Sequence, residues 1–213
     1  MNKVPKKEEI NQIIDIRFSN EIHEKLKNAK VAVAGLGGLG SNIAVMLARS
    51  GIENIHIVDF DKVDLSNLNR QNYYIKHLGM KKTKATIDIL KEVNPYLNIK
   101  ADDIKINETN AAEIFKDDDI ICEAFDDAKN KAMLITAILS EYKDKKIISG
   151  NGMAGFDSSN LIKTTKKMKN LYICGDEKSD INNGIGLMAP RVNICAAHQA
   201  NMAVRLILGK EEV

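Results

Sequence analysis

The sequence has 213 residues and a formal net charge of +2, from 31 lysines and arginines against 29 aspartates and glutamates. This length suits one domain of ordinary size, and the balanced charge favours neither nucleic acid nor an anionic membrane as a partner. Hydrophobic residues make up 44% of the chain and charged residues 28%, a composition that excludes extended disorder.

The chain carries no sign of a membrane or secretory segment. No apolar stretch approaches the roughly 20 residues needed to cross a bilayer, and the start MNKVPKKEEINQ lacks the apolar part of a signal peptide. The three cysteines, Cys122, Cys174 and Cys195, are odd in number and widely spaced, which is typical of reduced thiols. We therefore expect a cytoplasmic protein.

Apolar residues at helical spacing predict an amphipathic N-terminal helix over residues 8–27, continuous or broken. Beyond it, β-branched runs alternate with segments of helical periodicity. The predicted strands are 30–34, 55–58, 97–101, 120–122 and 146–149, and the predicted helices are 41–49, 82–93, 128–139 and 191–208. This alternation predicts an α/β fold with a mainly parallel central sheet and helices on both faces. The polar, lysine-rich stretch 157–183 is interpreted as a crossover segment on the surface.

A glycine-rich turn follows the first predicted strand and opens a helix. Residues 35–40 read GLGGLG, and the acid Asp59 follows Gly40 after 19 positions. Glycines let the backbone approach phosphate, helix N–H groups stabilise its charge, and the acid can hold ribose hydroxyls. The pattern predicts a nucleotide site but leaves open whether the nucleotide is ATP or a dinucleotide.

The residues after Asp59 favour a triphosphate. The segment 60–71 (FDKVDLSNLNRQ) brings Arg70 and two asparagines to a place where a dehydrogenase begins its next helix, and Lys82 stands at the start of a predicted helix. Guanidinium, amide and lysine donors suit the charges of a triphosphate, whereas hydride transfer needs none of them.

These motifs resemble those of the activating-enzyme superfamily, the E1-like ThiF, MoeB and HesA proteins that adenylylate the C-terminal glycine of a ubiquitin-like carrier. The resemblance covers nearly the whole chain: GLGGLGS at 35–41, VDFDKVDLSNLNRQ at 58–71, GxxK at 79–82, NP at 94–95 and the acid pair at 126–127. The ending at 186–209 is most similar to ThiF family 2, the sulfur-carrier adenylyltransferases of thiamine biosynthesis. The resemblance implies one Rossmann-like adenylation domain over 1–213, with a nucleotide-binding core over 30–155.

The resemblance also implies roles for single residues. Gly38 would lie against the nucleotide, Asp59 would bind ribose and Asp126 would organise Mg²⁺. Asp127 stands where most members have asparagine. The expected nucleotide-binding residues are Gly35, Gly37, Gly38, Leu39, Gly40, Asp59, Asp61, Ser66, Asn67, Arg70, Lys82, Asp126 and Asp127, and the expected catalytic residues are Arg17, Arg70, Lys82 and Asp126.

Arg17 is the only arginine before the glycine turn. Members of the superfamily contribute an N-terminal arginine across a homodimer interface, and Arg17 is the candidate for it. The alternative is an exposed helical arginine without such a role.

Cysteine usage departs from that of many relatives, which hold zinc with two CxxC pairs and carry a further reactive cysteine. This chain has neither CxxC pair, and three separated thiols cannot supply the four of a cysteinyl zinc site. The sequence predicts no structural zinc. Cys174, near the predicted crossover segment, is the candidate reactive thiol, whereas Cys122 and Cys195 are interpreted as core residues.

The expected activity is therefore ATP- and Mg²⁺-dependent adenylylation of a ubiquitin-like sulfur carrier ending in Gly-Gly, by a homodimer. One alternative is action on a tRNA nucleoside, as in threonylcarbamoyladenosine dehydratases, which would need a basic surface beyond the KTTKKMK stretch. Another is a nucleotide-binding scaffold without turnover. An NAD-dependent dehydrogenase is the weakest alternative, because the chain lacks a second substrate domain and carries SNLNR.

Overall fold

The computed structural model describes residues 4–180 and 184–213. Helices and strands alternate along most of this part of the chain. In chain order they are α1 Lys7–Phe18, α2 Asn20–Asn28, β1 Lys30–Ala34, α3 Gly38–Arg49, β2 Asn54–Val58, α4 Lys82–Val93, β3 Asn98–Asp102, α5 Ala111–Ile114, β4 Ile120–Glu123, α6 Ala128–Glu141, β5 Lys146–Gly150, β6 Lys163–Met168, β7 Leu171–Gly175 and α7 Ala189–Ile207. Short 3-10 turns lie at Leu65–Asn67, Ile75–His77 and Ser159–Leu161.

The strands form one seven-stranded sheet in the order β3-β2-β1-β4-β5-β7-β6. All neighbouring strands run parallel except β6, which is antiparallel to β7. Successive residues of β1 face opposite cores: Val31 and Val33 pack with residues of α3, α4 and α7, and Ala32 and Ala34 pack with residues of α5 and α6. The predicted α/β fold, with a mainly parallel sheet and helices on both faces, is confirmed.

The N-terminal helix is broken. Helices α1 and α2 meet at Ser19, whose φ of 77° and ψ of 150° lie outside the helical region. Helix α1 packs near the amino ends of β2 and β3, because Lys7 Nζ lies 2.8 Å from Glu53 Oε2 and Tyr96 donates a hydrogen bond to the carbonyl of Pro5. The predicted helix over 8–27 is therefore two helices.

The interpretation of 157–183 as a crossover segment is wrong for its central part. Residues 163–168 and 171–175 form the hairpin of β6 and β7, and β7 extends the parallel sheet by pairing with β5. Strand β6 is an exposed edge of the sheet, and its lysines interrupt the apolar residues from which a strand would be predicted. Such charges are typical of edge strands. Residues 181–183 of the predicted segment, like residues 1–3 of the predicted domain, lie outside the described residues. Within residues 4–180 and 184–213, no helix is both long and apolar enough to span a membrane.

Candidate functional site

A cavity of about 450 Å³ lies at the carboxyl edge of the sheet. It opens beside the ends of β1 and β4, where the order of the strands reverses, which is where open α/β sheets bind ligands. Nine of the thirteen expected nucleotide-binding residues line it: Gly35, Gly37, Gly38, Leu39, Asp59, Asp61, Arg70, Lys82 and Asp126. Gly40, Ser66, Asn67 and Asp127 are not part of its lining.

The glycine turn forms the floor of the cavity. Gly35 has φ +90°, and its N–H donates to the carbonyl of Val58. A Cβ on Gly40 would stand 1.8 Å from the carbonyl oxygen of Gly35, so Gly40 allows α3 to start close against the turn. A Cβ on Gly37 would meet no described heavy atom within 4 Å, which leaves this backbone open to a ligand.

Four helices begin at the cavity. Gly38 of α3, Lys82 of α4, Asn130 of α6 and Val192 of α7 all line it from the first turns of their helices. Helices α3, α4 and α7 have no side-chain cap from a residue in the described ranges, whereas Asp127 caps α6 by accepting from the Asn130 N–H at 2.9 Å. Unpaired N–H groups and aligned helix dipoles make such a place favourable for anions.

We call the side formed by residues 59–82 the α4 wall. Asp59 Oδ2 accepts from the Leu36 N–H at 2.6 Å and Oδ1 from the Asp61 N–H at 2.7 Å, which fixes the carboxylate and leaves lone pairs for a ligand hydroxyl. The Lys82 side chain is 8% exposed and pairs with Asp61 Oδ2 at 3.1 Å, while Asp61 itself is 51% exposed. Because solvent screens so exposed an acid, Lys82 can exchange it for a ligand oxygen.

Arg70 completes the α4 wall. Its Nη1 donates to the carbonyl of Ser66 at 3.1 Å and to Asn69 Oδ1 at 2.8 Å, while its buried Nε has no hydrogen-bond partner among the described residues. A buried guanidinium N–H without a partner is costly, and an anionic ligand would supply one. Ser66 and Asn67 lie in the turn that carries Arg70, where Asn67 Oδ1 accepts from the Asp64 N–H.

We call the side formed by residues 123–131 the α6 wall. Asp126 is exposed there, and its carboxylate makes no hydrogen bond or ion pair with any residue in the described part of the chain. Behind it, Glu123 is fully buried and lies 3.1 Å from Lys131 Nζ, which lines the cavity. The sequence reasoning missed both residues, although an acid closing the apolar run IIC was a usable signal.

The loop after β7 closes the third side with a buried ion pair. The Asp176 carboxylate bonds to Arg191 and accepts from the N–H groups of Lys178 and Ser179, at 2.9 and 2.8 Å. Burial acts to raise the pKa of Asp176, but these hydrogen bonds, that of the Ser179 hydroxyl and the Arg191 charge hold it below its usual value. The pair ties the start of α7 to this loop, whose Ser179 lines the cavity.

Comparison with known proteins identifies the family. The sequence profile of the ThiF family matches residues 11–213. The chain belongs to the ThiF family. It is 38% identical over 112 residues to a molybdopterin-synthase adenylyltransferase of Haemophilus influenzae, covering 52% of this chain and 46% of that protein. A probable molybdopterin-synthase adenylyltransferase of Porphyra purpurea is 30% identical over 207 residues, covering 91% of this chain and 52% of that protein.

The chain spans about half the length of these curated relatives. Among solved structures, the tRNA N6-threonylcarbamoyladenosine dehydratase TcdA of E. coli, in complex with AMP, superposes with a TM-score of 0.86. That match covers 97% of this chain and 98% of TcdA at 19% sequence identity, so it shows a shared fold.

Cys174 is enclosed in the central sheet of this ThiF-family domain. It lies within β7, fully buried, and burial raises the pKa of its thiol to about 12, although a Thr164 hydroxyl 3.5 Å away acts in the opposite direction. Enclosure of the sulfur and the raised pKa both disfavour a nucleophilic thiolate in this conformation, and a reactive role for Cys174 stays a prediction. Cys122 and Cys195 are buried core residues, as predicted. Within the described ranges no three His, Cys, Asp or Glu residues could hold a metal together; the absence of zinc stays a prediction.

Arg17 is far from the cavity of its own ThiF-family domain. It is exposed on α1, which packs at the amino ends of the strands, whereas the cavity lies at their carboxyl ends. Strands of five residues separate the two edges by about 16 Å. The structure does not bring Arg17 together with Arg70, Lys82 and Asp126.

Proposed function

We propose that this ThiF-family chain transfers the adenylyl group of ATP to the C-terminal carboxylate of a ubiquitin-like sulfur-carrier protein ending in Gly-Gly. In this reaction a carboxylate oxygen bonds to the α-phosphorus, the bond from that phosphorus to the β-phosphate oxygen breaks, and pyrophosphate leaves. The single observation that carries the proposal is one cavity in which three uncapped helix starts meet Lys82, Arg70 and the uncommitted carboxylate of Asp126. The adenylyltransferase names of the relatives support it.

The residues present fit ATP and Mg²⁺. The cavity volume lies within the range of small-molecule sites, and its floor and α4 wall present donors to phosphate. The Asp126 carboxylate has no partner in the part of the chain that the structure describes, and Mg²⁺ is commonly held by one or two carboxylates together with substrate phosphates. When bound, Mg²⁺ supplies neutralisation of phosphate charge.

The chain's own residues act by position and charge. Asp59 holds the ribose, and the open backbone at Gly37 lets the phosphates approach the start of α3. Lys82 and Arg70 neutralise the charge that develops on the leaving pyrophosphate. The attacking carboxylate is already ionised at neutral pH, so no side chain needs to remove a proton from it.

The proposal includes a homodimer in which Arg17 serves the partner's cavity. Arg17 cannot reach its own cavity, and α1 exposes Ile13 and Ile16 to 60% and 73%. Beside α1 and α2 lies an apolar groove of about 420 Å³, whose lining includes Phe18, Ile22 and Val204. Exposed apolar surface of this kind is typical of interaction sites.

Mixing inactive variants tests the shared site. We expect a homodimer by light scattering, and restored activity when Arg17→Ala protein is mixed with Asp126→Ala protein, because one cavity of the heterodimer is then intact. A monomer, or no restoration in a proven heterodimer, would contradict the trans arginine.

ATP–pyrophosphate exchange, run with and without purified carriers, tests the activity. Relatives are named for molybdopterin synthesis, whereas the C-terminal motif resembles thiamine-biosynthetic members, so carriers of both pathways are included. We expect exchange with an intact Gly-Gly carrier and none with a carrier lacking its last glycine. We propose the thiamine carrier as the better substrate, acting in the cytoplasm, a location that the three buried free cysteines support.

A tRNA-nucleoside substrate is the second candidate, supported by the superposition over 98% of TcdA. Adding tRNA in place of a carrier distinguishes the two. Exchange or AMP release stimulated by tRNA alone would replace the carrier proposal, and no turnover with either would favour a nucleotide-binding scaffold.

A further inference from the structure

The α6 wall contains a buried carboxylate whose oxygens are fully engaged. Glu123 Oε1 accepts from the Phe125 N–H at 2.6 Å and from Lys131 Nζ at 3.2 Å. Oε2 accepts from Lys131 Nζ at 3.1 Å and from the Ser149 hydroxyl at 2.5 Å. The Glu123 carbonyl accepts from Gln199 Nε2 at 2.9 Å, so α7 is tied to the same point.

Lys131 is the counter-charge of this group and not a free cation. Its side chain is 17% exposed, and its ammonium reaches both oxygens of a carboxylate that has no access to solvent. Because its partner is fully buried, Lys131 cannot exchange that acid for phosphate, as Lys82 can exchange the half-exposed Asp61. The main contribution of the pair of Glu123 and Lys131 is therefore to hold the backbone to which the Glu123 carboxylate is hydrogen-bonded.

That backbone is the short segment 124–126. The Ala124 N–H donates to the carbonyl of Ala34, and a Cβ on Gly35 would stand 3.0 Å from the Phe125 ring and 3.1 Å from the Ala124 carbonyl oxygen. The segment therefore packs against the glycine turn, and the hydrogen bond from the Phe125 N–H to the Glu123 carboxylate fixes it there. Asp126 follows directly and has no side-chain partner among the described residues, so the backbone alone sets its place.

We propose that Glu123 and Lys131 are positioning residues, which fix segment 124–126 so that the Asp126 carboxylate faces the cavity. The role of Asp126 toward Mg²⁺ rests on the proposed function, whereas the restraint on the segment does not. Outer residues that orient a ligand group commonly change metal affinity by about 10- to 100-fold when they are altered.

The test compares Lys131→Met with Lys131→Arg, and uses Lys129→Met as the control because Lys129 is exposed on the same helix and forms no ion pair with a residue in the described ranges. In Lys131→Met without nucleotide, we expect hydrogen exchange of the Phe125 amide to become about tenfold faster. The Mg²⁺ concentration for half-maximal pyrophosphate exchange should rise about tenfold, while ATP affinity without Mg²⁺ stays within about twofold of the wild-type value. Lys131→Arg should restore both quantities, and Lys129→Met should leave them unchanged.

A folded Lys131→Met protein with the wild-type Phe125 exchange rate and the wild-type Mg²⁺ midpoint would overturn the inference. If Lys131→Met does not fold, Glu123→Gln decides in its place: it keeps the volume, and the same two shifts are expected. Faster Phe125 exchange in a protein that never catalyses pyrophosphate exchange would uphold the restraint and refute the proposed function, so the two failures are distinguishable.

Discussion

The two walls of the cavity use the same residue type in different ways. Lys82 on the α4 wall and Lys131 on the α6 wall both stand at the start of a helix, line the cavity and pair with a carboxylate. The partner of Lys82 is 51% exposed, whereas the partner of Lys131 is fully buried. Solvent screens a pair whose acid is half exposed, whereas breaking a pair whose acid is fully buried costs about 3–5 kcal/mol. Burial of the acid therefore decides whether a lysine is available to a ligand or is committed to holding the structure.

The largest expected effect is on stability at the α6 wall. Glu123→Ala should lower the free energy of unfolding by about 3–5 kcal/mol, because it leaves the Phe125 amide, the Ser149 hydroxyl and Lys131 without their acceptor. Asp61→Ala, which removes the half-exposed acid of the α4 wall, should lower it by less than Glu123→Ala does, because solvent screens the Asp61 carboxylate. Urea unfolding of both variants measures the difference, and equal losses would erase the distinction between the walls.

On the α4 wall the large effect is on activity. Lys82→Ala and Arg70→Ala should each lower pyrophosphate exchange by on the order of a hundredfold while leaving the fold intact, because charge contacts made in the transition state are lost. Lys84→Ala, an exposed lysine on the same helix, is the matched control and should keep wild-type exchange. Wild-type turnover in either of the first two variants would refute the assignment of the phosphate site.

The α4 wall was predictable from the sequence because its signals are local. Its signals, and that of the glycine turn below it, lie close to strand and helix boundaries; they are Asp59, Arg70 and Lys82. The predicted helix over 82–93 has the observed bounds. No sequence pattern predicts the ion pair between Lys82 and Asp61. The two residues meet because the chain between them folds back, so that the Lys82 N–H donates to the Asp61 carbonyl.

The α6 wall and the strands β6 and β7 at the sheet edge were harder to predict, because the residues that contact one another there are far apart in the sequence. Glu123, Lys131 and Ser149 come from three separate elements, and no spacing joins them in advance. The burial of Cys174 could not be predicted because the run LYICG of β7 lies inside a polar stretch and becomes a buried strand only by pairing with β5. The resemblance predicts Ser66 and Asn67 as nucleotide-binding residues, and in the structure they form the turn that carries Arg70.

The ion pair of Asp176 and Arg191, on the third side of the cavity, can be tested by measuring the free energy of unfolding as a function of pH. Hydrogen bonds and Arg191 hold the pKa of Asp176 below its usual value of 3.8, so its stabilising contribution is fully present above that value and is lost as the pH falls through the lower pKa of the folded state. Wild-type protein should lose more free energy of unfolding below pH 3.8 than Asp176→Asn does. Parallel acid titration curves would show that Asp176 is not stabilised in its ionised form.

The smallest expected effect concerns a residue on neither wall. Cys174→Ala should keep pyrophosphate exchange within about twofold of the wild-type rate, since attack of a carboxylate on phosphorus requires no thiol. Thiocarboxylate formation with a sulfur donor is measured on the same protein, and its survival would mark the thiol as structural. Loss of exchange in the folded variant would instead connect Cys174 to the cavity.

Calorimetric titration of the wild-type protein with ATP and Mg²⁺, and separately with NAD, tests the central claim most directly. We predict binding of ATP that strengthens with Mg²⁺, is weakened in Lys82→Ala and is unchanged in Lys84→Ala, with no binding of NAD. Binding of NAD without binding of ATP would contradict the assignment of the cavity.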